Sequence, residues 1–400
     1  MAEPLIFMKG LAKKAAKTNQ MTILRIGPKR FVFIFDPDVA HEVLIKKPSI
    51  YIQNRTVFDR IQPVTGKKGL VQLAGNESQE ARAKSRALFT SSSLESARTT
   101  IETYTQDLIG KLKSKSSFDV TDEMTFLILR TAIRIFLGIQ STELASTIGS
   151  KFLRLNYLCG LRMRSLMPPP LFIPTFKNRE IKALQAEIRY LIAKQVSSSP
   201  PTGVSKAFQN DDAMIDHCMT FLFAGHETTA ASLSFTLLLL AQNPKYQDRI
   251  ALGEDAITLA VYKESLRLYP PAYMLARQAE TNDTIGGNKI RKGDQVIIGI
   301  AELHRNPNIY KLPNDFIPER FLEKLDHPFS FIPFGAGGKS CVGERLAYLE
   351  ATIVIKMLCQ SFRLSFSNDL IKSEPLITLH PLSSQFIHLQ PRIKEPYATV

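Results

Sequence analysis

Apolar residues recur at helical spacing through 101–114, 119–138, 179–196, 211–242, 255–268 and 343–361. Two early runs have a different texture: Met21-Thr-Ile-Leu-Arg-Ile-Gly and Arg30-Phe-Val-Phe-Ile-Phe read as strands around a Gly-Pro-Lys turn. The run from Asp294 to Ile300 reads as another strand. The pattern predicts a mainly α protein with a smaller β region, about 20–50 and 272–300 plus a C-terminal loop, in a single domain over 1–400. No internal repeat appears. Ser197–Gly203 reads as a loop between helices, and Pro168–Pro170 interrupt the apolar run Leu166–Phe172.

The most apolar window, Met219–Leu240, approaches the ~20 residues that span a bilayer. His226, Glu227 and two threonines lie in its first half, and a charge there is costly in lipid. A buried helix fits better. Asn210, Asp211 or Asp212 is expected to cap it, and Pro244 to end it after Asn243. Such a helix would be about 50 Å long at ~1.5 Å per residue.

Composition adds a soluble globular class: 44% hydrophobic and 22% charged residues over 400 positions. A net charge of +14 points to an acidic partner. The basic residues form no stripe interleaved with aromatics, which argues against a nucleic-acid binder. Cys159, Cys218, Cys341 and Cys359 are scattered without a CxxC pair, as in a reducing, cytoplasmic setting. The N-terminal apolar run is too short for a signal peptide or transmembrane anchor, and with Lys9, Lys13, Lys14 and Lys17 it reads as a surface helix.

Chemistry concentrates in Phe331-Ile-Pro-Phe-Gly-Ala-Gly-Gly-Lys-Ser-Cys-Val-Gly, where Gly335, Gly337, Gly338 and Gly343 surround one cysteine. Leu346, Leu349, Ile353 and Leu358 mark a helix that starts just after Cys341. The unpaired N–H groups at that helix start favour a thiolate. A lone thiolate is a poor zinc site and a good axial ligand for heme iron. A buried structural cysteine and a nucleophile are the alternatives, the latter lacking an identifiable base. Elsewhere, Gly225 and Glu227 interrupt the long apolar helix, which fits either close helix packing with a satisfied carboxylate or a functional segment. Glu264 and Arg267, three apart, share a helix face and can pair.

Together these segments resemble the cytochrome P450 superfamily. Phe334, Gly337, Cys341 and Gly343 match its heme-binding signature in order and spacing, with Lys339 where arginine or histidine is usual. Ala224-Gly-His-Glu-Thr-Thr resembles its oxygen-activation segment, Glu264-Ser-Leu-Arg267 its ExxR segment, and Phe316-Ile-Pro-Glu-Arg320-Phe its PERF segment. The resemblance implies heme b with Cys341 on the iron and Arg82, Arg277 and Lys339 on the propionates. Phe334, Gly335, Gly343, Ala347, Ala224 and Gly225 would line the cofactor. Thr228 and Glu227 would deliver protons to bound dioxygen, and Glu264, Arg267 and Arg320 would brace the cysteine loop. Ser78 stands where an aromatic residue usually precedes the Arg82 position.

By position in that family, Leu70, Val71, Phe221, Phe223, Tyr273 and Met274 would wall a substrate pocket. The implied activity is insertion of one oxygen atom into a C–H or double bond of an apolar substrate such as a fatty acid, terpenoid, steroid or aromatic compound. Without a flavin or iron–sulfur segment, electrons would come from a ferredoxin or flavodoxin and its NAD(P)H-dependent reductase. Lys339, Arg82, Lys84 and Arg86 would favour an acidic donor protein. A soluble bacterial-type monomer is expected, because only about twenty residues separate Asn243 from Glu264. A peroxide-driven peroxygenase and a non-catalytic heme sensor are the rival readings.

Overall fold

A computed structural model describes residues 4–16, 21–54, 58–165, 167–368 and 370–392. Lys17 and Leu166 lie outside the described residues. The first hairpin pairs Met21–Ile26 with Lys29–Ile34, and Gly27 turns the chain at φ +57°. That pair joins a five-stranded sheet in the order Met21–Ile26, Lys29–Ile34, Gln295–Ile298, Leu275–Ala279, Tyr51–Gln53. Lys29–Ile34 and Gln295–Ile298 run parallel, with Phe31 opposite Gln295. All four residues of Gln295–Ile298 are buried, which explains their continuous apolar run. A separate three-stranded sheet joins Ser117–Asp119, Phe386–Pro391 and Phe362–Ser365, and a short hairpin pairs Ser373–Pro375 with Leu379–Pro381.

Helices make up the rest. The expected ones appear as Ser91–Leu112, Val120–Leu137, Phe176–Ser198, Met214–Gln242, Asp255–Leu268 and Glu344–Ser361. The N-terminal surface helix is Pro4–Ala15. Periodicity overlooked Thr142–Arg164, whose buried Ile148, Phe152, Leu155 and Cys159 do recur every three or four positions. Polar residues between them thin the stripe. Its start is capped by Ser141, which accepts the Leu144 N–H at 3.2 Å.

Met214–Gln242 is buried on almost every side, as its apolar composition requires. At 29 residues it is about 43 Å long, shorter than the sequence implied. The start moves inward because Asn210 adopts φ +62° and Asp211 accepts the Ala213 N–H at 2.9 Å, so a turn precedes the helix. Among the described residues, no single helix is long and apolar enough to cross a membrane.

Candidate active site

The cysteine loop is built by two glycines in the left-handed region, Gly335 at φ +69° and Gly337 at φ +73°. A side chain at Gly337 would also strike the Leu44 carbonyl. Gly338 and Gly343 carry no such requirement; a Cβ on Gly343 would make ordinary contact with Phe89 at 3.5 Å. The Cys341 N–H donates to the Phe334 carbonyl at 2.8 Å, closing the loop so that the sulfur opens into an internal cavity. Burial pushes the Cys341 thiol up, although the N–H groups of Gly343 and Glu344 and the charge of Arg82 oppose it. The helix start thus favours the thiolate, as its sequence implied, and burial opposes it. An iron cation on the sulfur would tip this balance to the thiolate, because coordination deprotonates a thiol outright.

The cavity, ≈ 300 Å³, is bounded by Met214–Gln242 on one side and by the cysteine loop on the other. Phe334, Gly335, Lys339, Gly343, Ala347, Ala224, Gly225 and Thr228 all line it, as do Arg82 and Arg277. Neither arginine has a carboxylate partner among the described residues. Arg82 donates to the Ser340 carbonyl, and Arg277 donates to the Ala276 carbonyl at 3.0 Å. Burial lowers the pKa of both. Two desolvated guanidinium groups at the edge of one cavity call for an anion, and a pair of propionates meets that need.

Lys339 behaves differently from an arginine at its position. Its ammonium donates to Ser78 Oγ and to the Leu73 carbonyl, each at 2.6 Å. The two departures from the usual pattern, Lys339 and Ser78, thus touch each other. The small serine leaves room for the lysine stem to cross from the loop to the helix Gly75–Ser85.

On the opposite wall, a Cβ at Gly225 would collide with the Phe136 ring, two of whose atoms lie 3.3 Å away and a third closer still. This glycine is needed for the packing of Met214–Gln242 against Val120–Leu137, the structural alternative its sequence left open. Thr228 lines the cavity, its hydroxyl donating to the Ala224 carbonyl at 3.0 Å. Glu227 points away from the cavity and is buried. Asn156 Nδ2 donates to its Oε2 at 2.6 Å, and Thr378 and His380 reach its Oε1 at 2.7 and 2.9 Å. These partners come from Thr142–Arg164 and the 373–381 hairpin, and no local sequence signal announced them.

Behind the loop, Glu264 and Arg267 are completely buried and bonded at 2.7 and 2.8 Å. Glu264 also accepts the Ile317 N–H at 2.9 Å and faces Arg320 at 3.4 Å. Arg267 donates to the carbonyls of His304, Pro313 and Asp315. His304 Nε2 in turn accepts the Ile332 N–H at 2.9 Å, which carries the brace into the cysteine loop.

Of the predicted substrate wall, Leu70, Val71 and Phe221 line the cavity. Phe223 is buried in the helix packing, Tyr273 donates to the Leu376 carbonyl at 3.3 Å, and Met274 is exposed; none of the three lines it. Phe58, Phe89 and Phe136 line it instead. Phe89, Phe136 and Phe221 form an aromatic cluster with centroids 5.5–6.4 Å apart. The expected basic patch is also thinner than its sequence implied, because Arg82 faces inward and Lys84 pairs with Asp211 at 2.8 Å.

A cysteine-bearing loop opening into a cavity, a braced underside and a long helix across that cavity are the arrangement of a heme-thiolate enzyme. The cytochrome P450 family profile matches residues 6–253 and 256–388, and the chain belongs to this family. It is 28% identical to a cytokinin hydroxylase of Arabidopsis thaliana over 81% of this chain and 74% of that protein. It is 26% identical to the cyclooctat-9-en-7-ol 5-monooxygenase of Streptomyces melanosporofaciens over 90% of this chain and 85% of that protein. The crystal structure of the cytochrome P450DA heme domain superposes with a TM-score of 0.83 at 23% identity, covering 97% of this chain and 93% of that one. The fold is therefore the P450 fold, the cofactor is heme b, and the protein is a P450 monooxygenase.

Proposed function

We propose that this chain, acting as one domain, a monomer and a cytoplasmic enzyme, oxygenates a neutral apolar molecule of the terpenoid or steroid class. The observation that carries the substrate class is the division of charge in the cavity. Phe58, Leu70, Val71, Phe89, Phe136 and Phe221 supply an apolar wall, whereas the cationic lining consists of Arg82 and Arg277, which suit propionates, and Lys339, which is bonded to Ser78 and Leu73. With those cations engaged, a fatty acid would find no remaining partner for its carboxylate, and burying that charge unpaired is costly.

Cys341 would hold the iron, Arg82 and Arg277 the propionates, and Lys339 the loop against the helix Gly75–Ser85. Heme, when bound, supplies the activation of dioxygen. The aromatic wall would exclude water and orient the substrate. Thr228 Oγ1 would turn from the Ala224 carbonyl to present a proton in the cavity, and Glu227 would resupply it. A ferredoxin or flavodoxin with an NAD(P)H-dependent reductase would deliver electrons.

The test is a reconstitution with NADPH, ferredoxin reductase and ferredoxin, using a neutral terpenoid that shifts the heme spin state. Equimolar consumption of NADPH and dioxygen with formation of one hydroxylated product is expected. Turnover with hydrogen peroxide alone, and none with any electron donor, would establish the peroxygenase instead.

A further inference from the structure

The geometry points to His380 as the residue that brings protons from solvent to Glu227, which makes the C-terminal hairpin part of the oxygenation machinery. This rests on the proton-delivery reading of Glu227 and Thr228 given above.

Glu227 is 4% exposed and absent from the cavity lining, so water reaches it directly from neither side. Its three side-chain donors are unequal. Asn156 and Thr378 offer an amide and a hydroxyl. His380 is the one imidazole among them, and its side chain is 22% exposed while Nε2 sits 2.9 Å from Glu227 Oε1. Thr378 Oγ1 lies 2.6 Å from His380 Nε2 and 2.7 Å from Glu227 Oε1, closing a triangle that offers a direct path and one through the hydroxyl. The hairpin holding Thr378 and His380 is pinned by backbone bonds, including Leu379 N–H to the Pro271 carbonyl at 2.9 Å.

The transfer balances as follows. A His380 imidazolium releases its Nε2 proton to Glu227 Oε1, leaving a neutral ring and a carboxylic acid. The ring, 22% exposed, turns its bare Nε2 to bulk water for a replacement proton, and the carboxyl yields its own towards Thr228. The other groups around Glu227 are His226 on its own helix and Cys159 on Thr142–Arg164, with Arg162 beside Cys159. His226 is buried and bonded through Nδ1 to the Leu222 carbonyl at 2.7 Å, and burial raises the Cys159 thiol to about 12. Neither offers a solvent-exposed proton. His380 also holds the Glu227 carboxyl low against the opposing effect of burial, so its removal raises that carboxyl.

The experiment compares wild-type holoenzyme with Glu227→Gln, His380→Gln and Thr378→Val. Infrared titration follows the protonated-carboxyl band that Glu227→Gln lacks. Product per NADPH is followed against pH in H₂O and D₂O, with the terpenoid giving the largest spin-state change. In His380→Gln the band should appear at higher pH than in wild type. Its product yield should fall about tenfold, less than the ~10²–10⁴-fold of direct acid–base assistance because His380 acts through Glu227, with an altered pH profile and a larger solvent isotope effect. Thr378→Val should move the same readouts less, and it carries the test if His380→Gln does not fold. An unmoved band, a wild-type yield, or a lower yield with an unchanged pH profile would overturn the role of His380. Should Glu227→Gln itself keep the wild-type yield, the reading of Glu227 falls and this inference with it. If Glu227→Gln loses yield and His380→Gln does not, only the inference falls.

Discussion

Replacing Arg267 with methionine would remove the centre of the brace behind the cysteine loop. The guanidinium makes two bonds to Glu264, at 2.7 and 2.8 Å, and three to backbone carbonyls, at 3.0, 2.7 and 3.1 Å. Stranding one member of a buried ion pair costs about 3–5 kcal/mol. Glu264 keeps the Ile317 N–H and its contact with Arg320, which places it near the lower end of that range. Each orphaned carbonyl adds about 1 kcal/mol, for a total of about 6 kcal/mol. Domain stabilities are about 5–15 kcal/mol, so Arg267→Met is expected to leave little folded holoprotein. Arg267→Lys keeps the charge but has three donors for five contacts, and should fall between. Urea unfolding together with heme content reads the effect. The double variant Glu264→Leu/Arg267→Met removes the stranded charge and should be more stable than Arg267→Met alone. An Arg267→Met protein within about 1 kcal/mol of wild type, or a double variant no better than the single, would refute the reasoning.

Two further outcomes follow from the cavity wall. Gly225→Ala drives a methyl group into the Phe136 ring, and overpacking of this kind costs about 1–3 kcal/mol; Phe136→Leu in the same chain should restore most of the loss in thermal unfolding. Glu350 is 2% exposed, lines the cavity, and is pushed by burial from an ordinary 4.5 to about 8. The folded protein therefore keeps this proton between about pH 4.5 and 8 while the unfolded chain releases it, and stability falls as pH rises through that window. Glu350→Gln removes the dependence, so its stability relative to wild type should grow from pH 5 to 8, by at most about 5 kcal/mol. An equal difference at every pH in denaturant titrations would contradict this.

What could be read along the chain was what leaves a local trace. The six periodic helices, the first hairpin and the buried strand Gln295–Ile298 follow from spacing alone. Cys341 and the Glu264–Arg267 pair stand in short motifs, and Arg82 and Arg277 were singled out by position in the resembling family; Cys341, Arg82 and Arg277 line one cavity. Thr142–Arg164 was missed because charged and polar residues dilute its apolar stripe, and with it went Asn156. Thr378 and His380 could not be found locally, since they meet Glu227 across 151 and 153 positions. Three of the six expected wall residues line the cavity for a similar reason: position in the sequence gives depth in the fold, but not which way Phe223 or Met274 faces. At Cys341 the helix start is visible in sequence, and the burial that opposes it is not.

The most direct test of the account is the absorption spectrum of the reduced protein with carbon monoxide, taken for wild type and for Cys341→His. Thiolate ligation predicts a strongly red-shifted Soret band in wild type and its loss in Cys341→His with heme retained. A wild-type protein that purifies without heme, or whose carbon monoxide band is unshifted or survives the substitution, would contradict the central claim.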